Sequence, residues 1–349
     1  MNFFITLICF VFVLGITVLI HELGHFLFAK KAGIYVYEFS IGVGPRLWMW
    51  KRKGDETEYS IRLFPIGGYV SMAGESVEED EKIPKEKQLQ SKKWYQKFLT
   101  IVAGVMFNFL LAIVIFFIVA LFSGAPSNSA YIASLEENYP AMDTNLRVGD
   151  EIIGLNGSHI LSTDHLLLEM QVMNGKAIEL EVKHEDGTKE TVNIEPVEET
   201  VDDTTTYKYG FSLTQKVRTG FLPSLQYAFQ KTFSLLHQMV LIIRNLITGT
   251  LGLDSLAGPV GIFTVVGETA KMGFLNLIYL IGYLSINVGF INILPIPAFD
   301  GGRLLFLIIE KITGKPVDPK IENTIHAIGM LLLMALMIFI TFNDILRLG

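Results

Sequence analysis

Four long apolar runs constrain the fold of this chain more than any other feature of its sequence. They lie at residues 3–20, 98–122, 272–292 and 324–342. About 20 apolar helical residues cross the roughly 30 Å hydrocarbon core of a bilayer, so each run predicts a transmembrane helix. The composition agrees, since 50% of the residues are hydrophobic and 18% are charged, against about 25% charged in soluble proteins. We therefore expect a polytopic α-helical membrane protein with four transmembrane helices, not a soluble enzyme or a disordered chain.

Charge and cysteine content exclude further classes of protein. The formal net charge of −7 leaves no basic surface of the kind that binds DNA or RNA. The single cysteine, Cys9, excludes an internal disulfide and a cysteine-based metal cluster. The first apolar run has no basic segment before it and no small-residue cleavage site after it. We therefore expect a retained helix there and not a signal peptide.

The distribution of Lys and Arg predicts the orientation of the chain in the membrane. Residues 29–97 carry almost half of the 28 basic residues, and the short connection at 301–320 carries four more. Short loops rich in Lys and Arg stay on the cytoplasmic side. Both termini and residues 124–271 are then expected outside the cytoplasm.

Residues 34–72 alternate apolar and polar side chains between glycines, a pattern typical of short strands. We predict a membrane-associated β-hairpin or small sheet over 34–74, with Gly67 and Gly68 near its end. An open strand edge beside an active site can accept an extended peptide as an added strand. A plain cytoplasmic hairpin is the alternative. Residues 75–93 are predicted to form a charged cytoplasmic linker.

A compact, extracytoplasmic α+β domain is predicted over residues 127–217. Its most specific pattern consists of Leu146, Gly149, Asp150, Ile152, Ile153, Asn156 and Gly157. This pattern resembles that of a PDZ domain, which implies a groove that binds extended peptides by strand addition. A domain that only filters bulky proteins by size, without a peptide ligand, is the alternative.

The hydrophobic stretch at 221–251 is interrupted by polar and charged side chains every few residues. This spacing favours an amphipathic helix at the outer membrane interface, within a segment 218–271 of interfacial helix and loop. A fifth span is the alternative, but it would place the basic loop at 301–320 on the wrong side of the membrane.

The chemistry is concentrated in the sequence HELGH at the end of the first run. His21 and His25 are four residues apart, so both imidazoles lie on one helix face and can bind one metal ion. Glu22 lies beside them and can act as a general base. Three ionisable groups in a membrane helix are costly, which indicates a function. The alternative is a helix end that emerges into water with its polar groups solvated.

A hydrolytic zinc site needs a third protein ligand, and the sequence NILPIPAFDGG at 292–302 contains the best candidate, Asp300. Pro295 and Pro297 must break the third span there. A helix of 18 residues rises about 27 Å, so the first span carries His21 close to the inner boundary of the hydrocarbon. The third span brings Asp300 to a similar depth. The alternative is a turn in which Asp300 only caps the next helix.

Together these two motifs and the PDZ-like insert resemble the site-2 protease family of intramembrane zinc metalloproteases, in its bacterial RseP-type branch. The resemblance covers essentially the whole chain. It implies that His21, His25 and Asp300 bind Zn²⁺ and that Glu22 is the catalytic base. It further implies that Asn292 helps to hold the substrate backbone, and that the strand near Gly67 and Gly68 pairs with the unwound substrate. Gly104 and Asn108 of the second span also fit the family.

We therefore expect an enzyme, a zinc metalloendopeptidase that hydrolyses peptide bonds in transmembrane segments of membrane proteins already trimmed outside the membrane. The resemblance suggests anti-sigma factors or remnant signal peptides as substrates. The expected partners are single-span membrane proteins and the lipid bilayer, with a peptide or a substrate ectodomain at the PDZ-like domain. The expected location is the bacterial plasma membrane, with the active site near the cytoplasmic side.

These interpretations give the predicted bounds of the transmembrane helices and of the cytoplasmic segment. They are 1–28 and 94–123 for the first two transmembrane helices, 272–300 and 324–346 for the last two, and 301–323 for a cytoplasmic segment between them. A membrane scaffold is one alternative function, but it leaves the costly HELGH unexplained. A metal transporter is another, but it would need polar groups at several depths. His326 is expected at a helix end or an interface and not as a metal ligand.

Overall fold

The computed structural model describes residues 2–75, 82–173, 175–201, 204–252, 255–315 and 317–348. Its helices are α1 (Phe3–Lys31), α2 (Trp94–Ser123), α3 (Thr163–Met173), α4 (Phe221–Ile247), α5 (Pro259–Lys271), α6 (Phe274–Ile293), α7 (Asp300–Thr313) and α8 (Pro319–Leu348). Its strands are β1 (Val36–Lys51), β2 (Glu58–Met72), β3 (Ala125–Pro126), β4 (Ala130–Leu135), β5 (Glu151–Leu155), β6 (Ser158–His159), β7 (Ile178–Lys183), β8 (Lys189–Ile194), β9 (Val197–Val201), β10 (Thr204–Lys208), β11 (Phe211–Thr214) and β12 (Val217–Arg218).

Four helices of the described chain are long and apolar enough to cross a membrane. They are α1, α2, α6 and residues 320–347 of α8. Only 6% of the most apolar stretch of α8 is buried inside the protein, so its large apolar side chains face outward, as they do in a membrane helix. The four apolar helices of the predicted fold are thereby confirmed. Helix α4 is not among them.

The chain divides into two compact units. The first unit comprises residues 1–115 and 253–349, and the second comprises residues 116–252. In the first unit, α1 packs against β2, α5 and α6. One apolar cluster joins Ala29 at the end of α1 to Val36, Val70 and Leu89. The cluster fixes the β1–β2 sheet directly beside the last turns of α1.

The sheet of the first unit is more than a simple hairpin, because β2 lies beside β1 twice. Phe39 is opposite both Tyr59 and Val70, and Trp50 is opposite Tyr59 as well. Residues 68–72 pair with β1 alone among the described strands. Their other side is therefore a strand edge, and unpaired backbone groups on such an edge are able to accept another strand.

A polar network stiffens this sheet. Glu38 is 8% exposed, and it accepts hydrogen bonds from Ser60, Tyr69, Arg62 and Arg46. Burial of the carboxyl raises the pKa of Glu38, but the hydrogen bonds outweigh burial and hold this pKa at about 2. The carboxylate is thus charged and fully paired at neutral pH.

The second unit has a conventional apolar core. Its largest sheet has the strand order β11-β4-β5-β7-β8, and β6 pairs with β5. Ile132, Leu166, Leu180 and Ile194 are all at most 1% exposed in the core between this sheet and α3. Helix α4 is fastened to α3, because Lys231 of α4 lies 2.7 Å from the Asp164 carboxylate.

Two segments differ from the sequence-based expectation. Residues 218–271 were expected as one interfacial helix and a loop, whereas the structure has a second helix, α5, in that segment. Phe263 of α5 packs on Phe3 and Phe10 of α1. This contact stabilises a short helix that the sequence did not predict, because it contains two glycines. In the expected linker 75–93, residues 76–81 lie outside the described residues. Residues 85–87 and 89–91 each form a 3₁₀ turn.

Candidate metal centre

The histidines of the HELGH sequence lie in the last third of α1. His21 and His25 are 6% and 8% exposed, and their ring nitrogens Nε2 are 3.2 Å apart. The spacing of four residues places both rings on one face of the helix. Both Nε2 atoms therefore face the same small volume, as two histidines that bind one metal ion do.

Helix α2 approaches these rings very closely. A Cβ atom at Gly104 would lie 2.3 Å from Nε2 of His25, so only glycine leaves room for the two imidazoles. The Nδ1–H of His25 donates a hydrogen bond of 2.8 Å to the carbonyl oxygen of Thr100. This bond fixes the tautomer of His25 and leaves the Nε2 lone pair free for a metal ion.

Asn108 plays the corresponding part for the other histidine. Its side-chain amide lies 3.3 Å from Nδ1 of His21, and its oxygen has no hydrogen-bond partner among the described residues. The two ends of an amide exchange by rotation about χ2. With the oxygen turned to the ring, Asn108 accepts the Nδ1 proton of His21, and the Nε2 lone pair of His21 becomes free as well.

Asp300 reaches the histidines from the opposite end of the sequence. Helix α6 ends at Ile293, and α7 begins at Asp300. Pro295 and Pro297 lie in the non-helical stretch between them, as the sequence predicts. Asp300 is not the helix cap of the alternative interpretation, because the cap position belongs to Phe299 and no side chain caps this end.

The three side chains form a nearly equilateral triangle. One oxygen of Asp300, Oδ2, lies 3.1 Å from Nε2 of His21 and 3.2 Å from Nε2 of His25. Oδ2 is buried, yet it makes no hydrogen bond of acceptable geometry with either ring. A tetrahedral zinc ion with bonds of about 2.0 Å separates its ligand atoms by about 3.3 Å. The triangle fits such an ion, and it is the one group of at least three His, Cys, Asp or Glu in the described chain that does so.

Glu22 lies between this triangle and the strand edge. Its Oε2 accepts a hydrogen bond of 3.1 Å from the backbone N–H of Val70 in β2. The next outward N–H along the edge, that of Met72, meets the carboxylate of Glu75 at 3.4 Å. The edge amides therefore point into the site and are already met by acceptors.

Gly67 and Gly68 lie at the start of this edge. Gly67 has a φ of +93°, which side chains rarely tolerate, and Gly68 lies so near β1 that a Cβ atom would be 2.5 Å from the carbonyl oxygen of Ser40. The two glycines allow the chain to turn into the edge stretch 68–72.

A cavity of about 1100 Å³ is lined by the three side chains of the triangle, by Glu22, and by Val70 and Met72 of the strand edge. Asn292, on the last turn of α6, also lines it. The cavity is large enough for an extended peptide segment, and its wall includes both the triangle and the strand edge.

The cavity is also lined by polar residues whose mutual contacts the sequence did not reveal. Arg303 of α7 is paired with Glu75, and Lys97 of α2 lies 2.9 Å from Glu310 of α7. His326 of α8 also lines the cavity. The partners of both ion pairs are more than 200 positions apart in the sequence, so no local spacing predicts these contacts.

Comparison with known proteins gives consistent matches along the chain. The profile of peptidase family M50 matches residues 9–336. The zinc metalloprotease RasP of Bacillus licheniformis is 33% identical over 98% of this chain and 99% of its own length. The regulator of sigma-W protease RasP of Bacillus subtilis is 32% identical over 98% and 99%, and the zinc metalloprotease RasP of Geobacillus kaustophilus is 32% identical over 97% of each.

Among solved structures, the PDZ domain of an SdrC-like protein from Listeria monocytogenes matches with 21% sequence identity. The match covers 25% of this chain and 88% of that domain, with a TM-score of 0.21.

Proposed function

Because the chain belongs to peptidase family M50 and is a zinc metalloprotease, we propose that it hydrolyses peptide bonds within the transmembrane segments of other membrane proteins. The observation that carries this proposal is the convergence of His21, His25 and Asp300 inside a bundle of apolar helices. A protease site at that depth meets substrates that lie in the membrane.

We propose His21, His25 and Asp300 as the zinc ligands. The matching edges of the triangle and the unbonded Oδ2 of Asp300 support this assignment. Three protein ligands leave one position open, as catalytic zinc sites do. Bound there, zinc supplies a Lewis acid that polarises the scissile carbonyl and lowers the pKa of the attacking water.

Glu22 is the proposed general base. Its neighbours on α1 are the two histidines, so its carboxylate can take the proton of the attacking water and later deliver it to the leaving amine. Its present hydrogen bond goes to the N–H of Val70. The carboxylate is therefore held at the strand edge, where a substrate backbone would lie.

The substrate backbone is proposed to add to residues 68–72 as a further strand. A helical segment hides its carbonyl groups, so it must unwind before hydrolysis, and strand pairing replaces the hydrogen bonds that it loses. The N–H groups of Val70 and Met72 support this role, because they point away from β1 into the cavity, where the side chains of Glu22 and Glu75 accept from them and a substrate carbonyl could replace these acceptors. Asn292, which lines the same cavity, is proposed to hold the same backbone, while Gly67 and Gly68 shape the edge.

The proposed substrates are single-span membrane proteins that another protease has already trimmed. The Bacillus subtilis relative is named a regulator of sigma-W protease, which favours anti-sigma factors, with remnant signal peptides as the second class. The proposed location is a bacterial plasma membrane, with the active site near the cytoplasmic side. The domain at 127–217 is proposed to be PDZ-like and to lie outside the cytoplasm, where it excludes bulky ectodomains or binds a peptide.

Cleavage of a single-span model protein in liposomes tests the proposal. We expect purified wild type to release two fragments cut within the membrane segment. Glu22→Gln should reduce the cleavage rate by about 10²- to 10⁴-fold while zinc is retained, because only the proton transfer is lost. Glu268→Gln, an exposed glutamate of α5, is the matched control and should cleave at the wild-type rate.

Two results would contradict the proposal. Undiminished cleavage by Glu22→Gln would remove Glu22 from the chemistry. If the enzyme cleaves a soluble peptide but leaves the single-span protein uncut, its substrate does not lie in the membrane.

A further inference from the structure

We infer that His326 is a positioning residue for the metal centre: its Nδ1 holds the backbone of the loop that delivers Asp300. The inference rests on the proposed function, since it takes Asp300 as a zinc ligand. His326 lies on α8, 26 residues after Asp300 in the sequence.

The loop before Asp300 is strained. It connects α6 to α7 through residues 294–299. Within it, Ala298 has a φ of +83°, a conformation that a residue with a Cβ atom adopts rarely. Such a conformation persists only where the surroundings hold it in place, and it is common at functional sites.

His326 supplies the hydrogen bond that holds this residue. The backbone N–H of Ala298 donates to Nδ1 of His326 over 3.0 Å. Because Nδ1 accepts, the proton of the neutral ring resides on Nε2, and this atom is buried without a partner among the described residues. Among the described residues, the ring therefore makes its hydrogen bond to the loop through Nδ1 alone.

Packing on α8 completes the seat for the loop. Gly329, one turn after His326, lies so close to Pro297 that a Cβ atom at this glycine would be 2.4 Å from the Cβ of the proline. On the other side, a Cβ atom at Gly302 would be 3.1 Å from Cε1 of His326. The loop thus fits between the imidazole and a gap in the surface of α8.

The position of the Asp300 carboxylate depends on this seat. Asp300 follows Ala298 by two residues and is the first residue of α7. Its Oδ2 completes the triangle at 3.1 and 3.2 Å from the two imidazoles. If Ala298 relaxes to a common φ, the chain direction changes immediately before Asp300, and the triangle opens. Outer contacts that orient metal ligands typically affect metal affinity about 10- to 100-fold.

Three substitutions separate the two nitrogens of the ring. His326→Asn keeps an acceptor oxygen in the position of Nδ1 and removes Nε2. His326→Gln places its amide near the position of Nε2 and removes the acceptor at Nδ1. His326→Phe keeps a ring of similar size and removes both. Full-length variants in detergent are loaded with zinc, and the rate of zinc loss to a chelator is measured together with kcat and KM.

We expect His326→Gln and His326→Phe to lose zinc at least about 10-fold faster than wild type. We expect His326→Asn to stay close to the wild-type rate. kcat should follow zinc retention, while KM stays unchanged, because His326 does not lie on the strand edge that is proposed to bind substrate. If His326→Phe fails to fold, the comparison of Asn with Gln decides the question on its own.

Fast zinc loss in His326→Asn, or slow loss in His326→Gln, would overturn the inference. The ring would then act through Nε2 or through the space that it fills. Failure of the proposed function is distinguishable from both. In that case His21→Ala, which removes a proposed ligand, would leave zinc retention unchanged, whatever the His326 variants do.

Discussion

Buried contacts between histidine and aspartate occur in both units of the chain, and they differ in whether every polar atom finds a hydrogen bond. In the second unit, Oδ1 of Asp150 lies 2.8 Å from Nδ1 of His184, and Oδ2 accepts the N–H of Arg147 at 2.8 Å. The other ring nitrogen of His184 meets Glu190 at 3.2 Å. Asp150 is 1% exposed, and its hydrogen-bonding capacity is used by the protein itself.

The first unit presents the opposite case. Oδ2 of Asp300 lies within 3.2 Å of two imidazole nitrogens and forms a proper hydrogen bond with neither. Buried polar atoms normally have partners, so an atom without one needs an explanation, and here the convergence of three ligand atoms makes a metal ion the explanation that fits. The same pair of residue types is thus a structural contact where every polar atom is hydrogen-bonded, and a candidate metal site where the ligand atoms converge without hydrogen bonds.

The largest expected effect concerns the unsatisfied contact. Asp300→Asn should abolish zinc retention and reduce cleavage by at least about 10³-fold, because it removes one of three proposed ligands and several kcal/mol of charge stabilisation. The melting temperature without zinc should change little, since no hydrogen bond of Oδ2 is lost. Metal content is measured by elemental analysis, and cleavage is measured on the single-span protein in liposomes.

Asp150→Asn is the matched control for the change at Asp300, because it makes the same replacement at the satisfied contact. It should leave the zinc content at the wild-type level. Equal loss of zinc in both variants would mean that metal binding reports general folding and does not report a ligand.

The second prediction concerns the fully hydrogen-bonded contact, and it is measured as stability instead of zinc content. Asp150→Asn should lower the stability of the second unit by about 1–3 kcal/mol, because His184 and Arg147 meet different oxygens of Asp150 and one of these donors would then face an NH2 group that cannot accept. Hydrogen exchange of β7 and β8 in the full-length protein measures this loss. Asp143→Asn, an exposed aspartate of the same unit, should change exchange very little.

Hydrogen exchange that is unchanged in Asp150→Asn would contradict this prediction. The fully bonded contact would then contribute nothing measurable to the unit that contains it.

The sequence predicted those features of the site that arise from local spacing or from length. The four-residue interval between His21 and His25 is a property of any helix. The shared depth of Asp300 followed from helix rise and from the charge distribution of two short loops. The break after α6 followed from Pro295 and Pro297, whose rings are incompatible with a continuing helix.

Other parts of the site depend on tertiary packing and were out of reach. The carbonyl oxygen of Thr100 accepts a hydrogen bond from Nδ1–H of His25, but every residue has a carbonyl and nothing in the sequence marks this one. His326 was expected only as a helix-end or interface residue, because its hydrogen bond to Ala298 requires the packing of α8 on the loop. Helix α5 was missed since its 13 residues contain two glycines and derive their support from α1.

The smallest expected effect is the pH dependence of the satisfied contact. Hydrogen bonds to Asp150 and then to Glu190 raise the pKa of His184 above its ordinary value. A raised pKa in the folded state means that the charged ring adds stability below the pKa of the unfolded chain, about 6.5, and that this addition is lost as the pH rises through the folded value. Wild type should therefore be more protected than His184→Gln in exchange of β7 and β8 at pH 6, and the difference should shrink at pH 9. Measuring both proteins at each pH cancels the intrinsic pH dependence of exchange. A difference that stays constant from pH 6 to pH 9 would mean that the neutral ring makes the same contact. The contact at Asp150 would then depend on hydrogen bonds alone, without the charge.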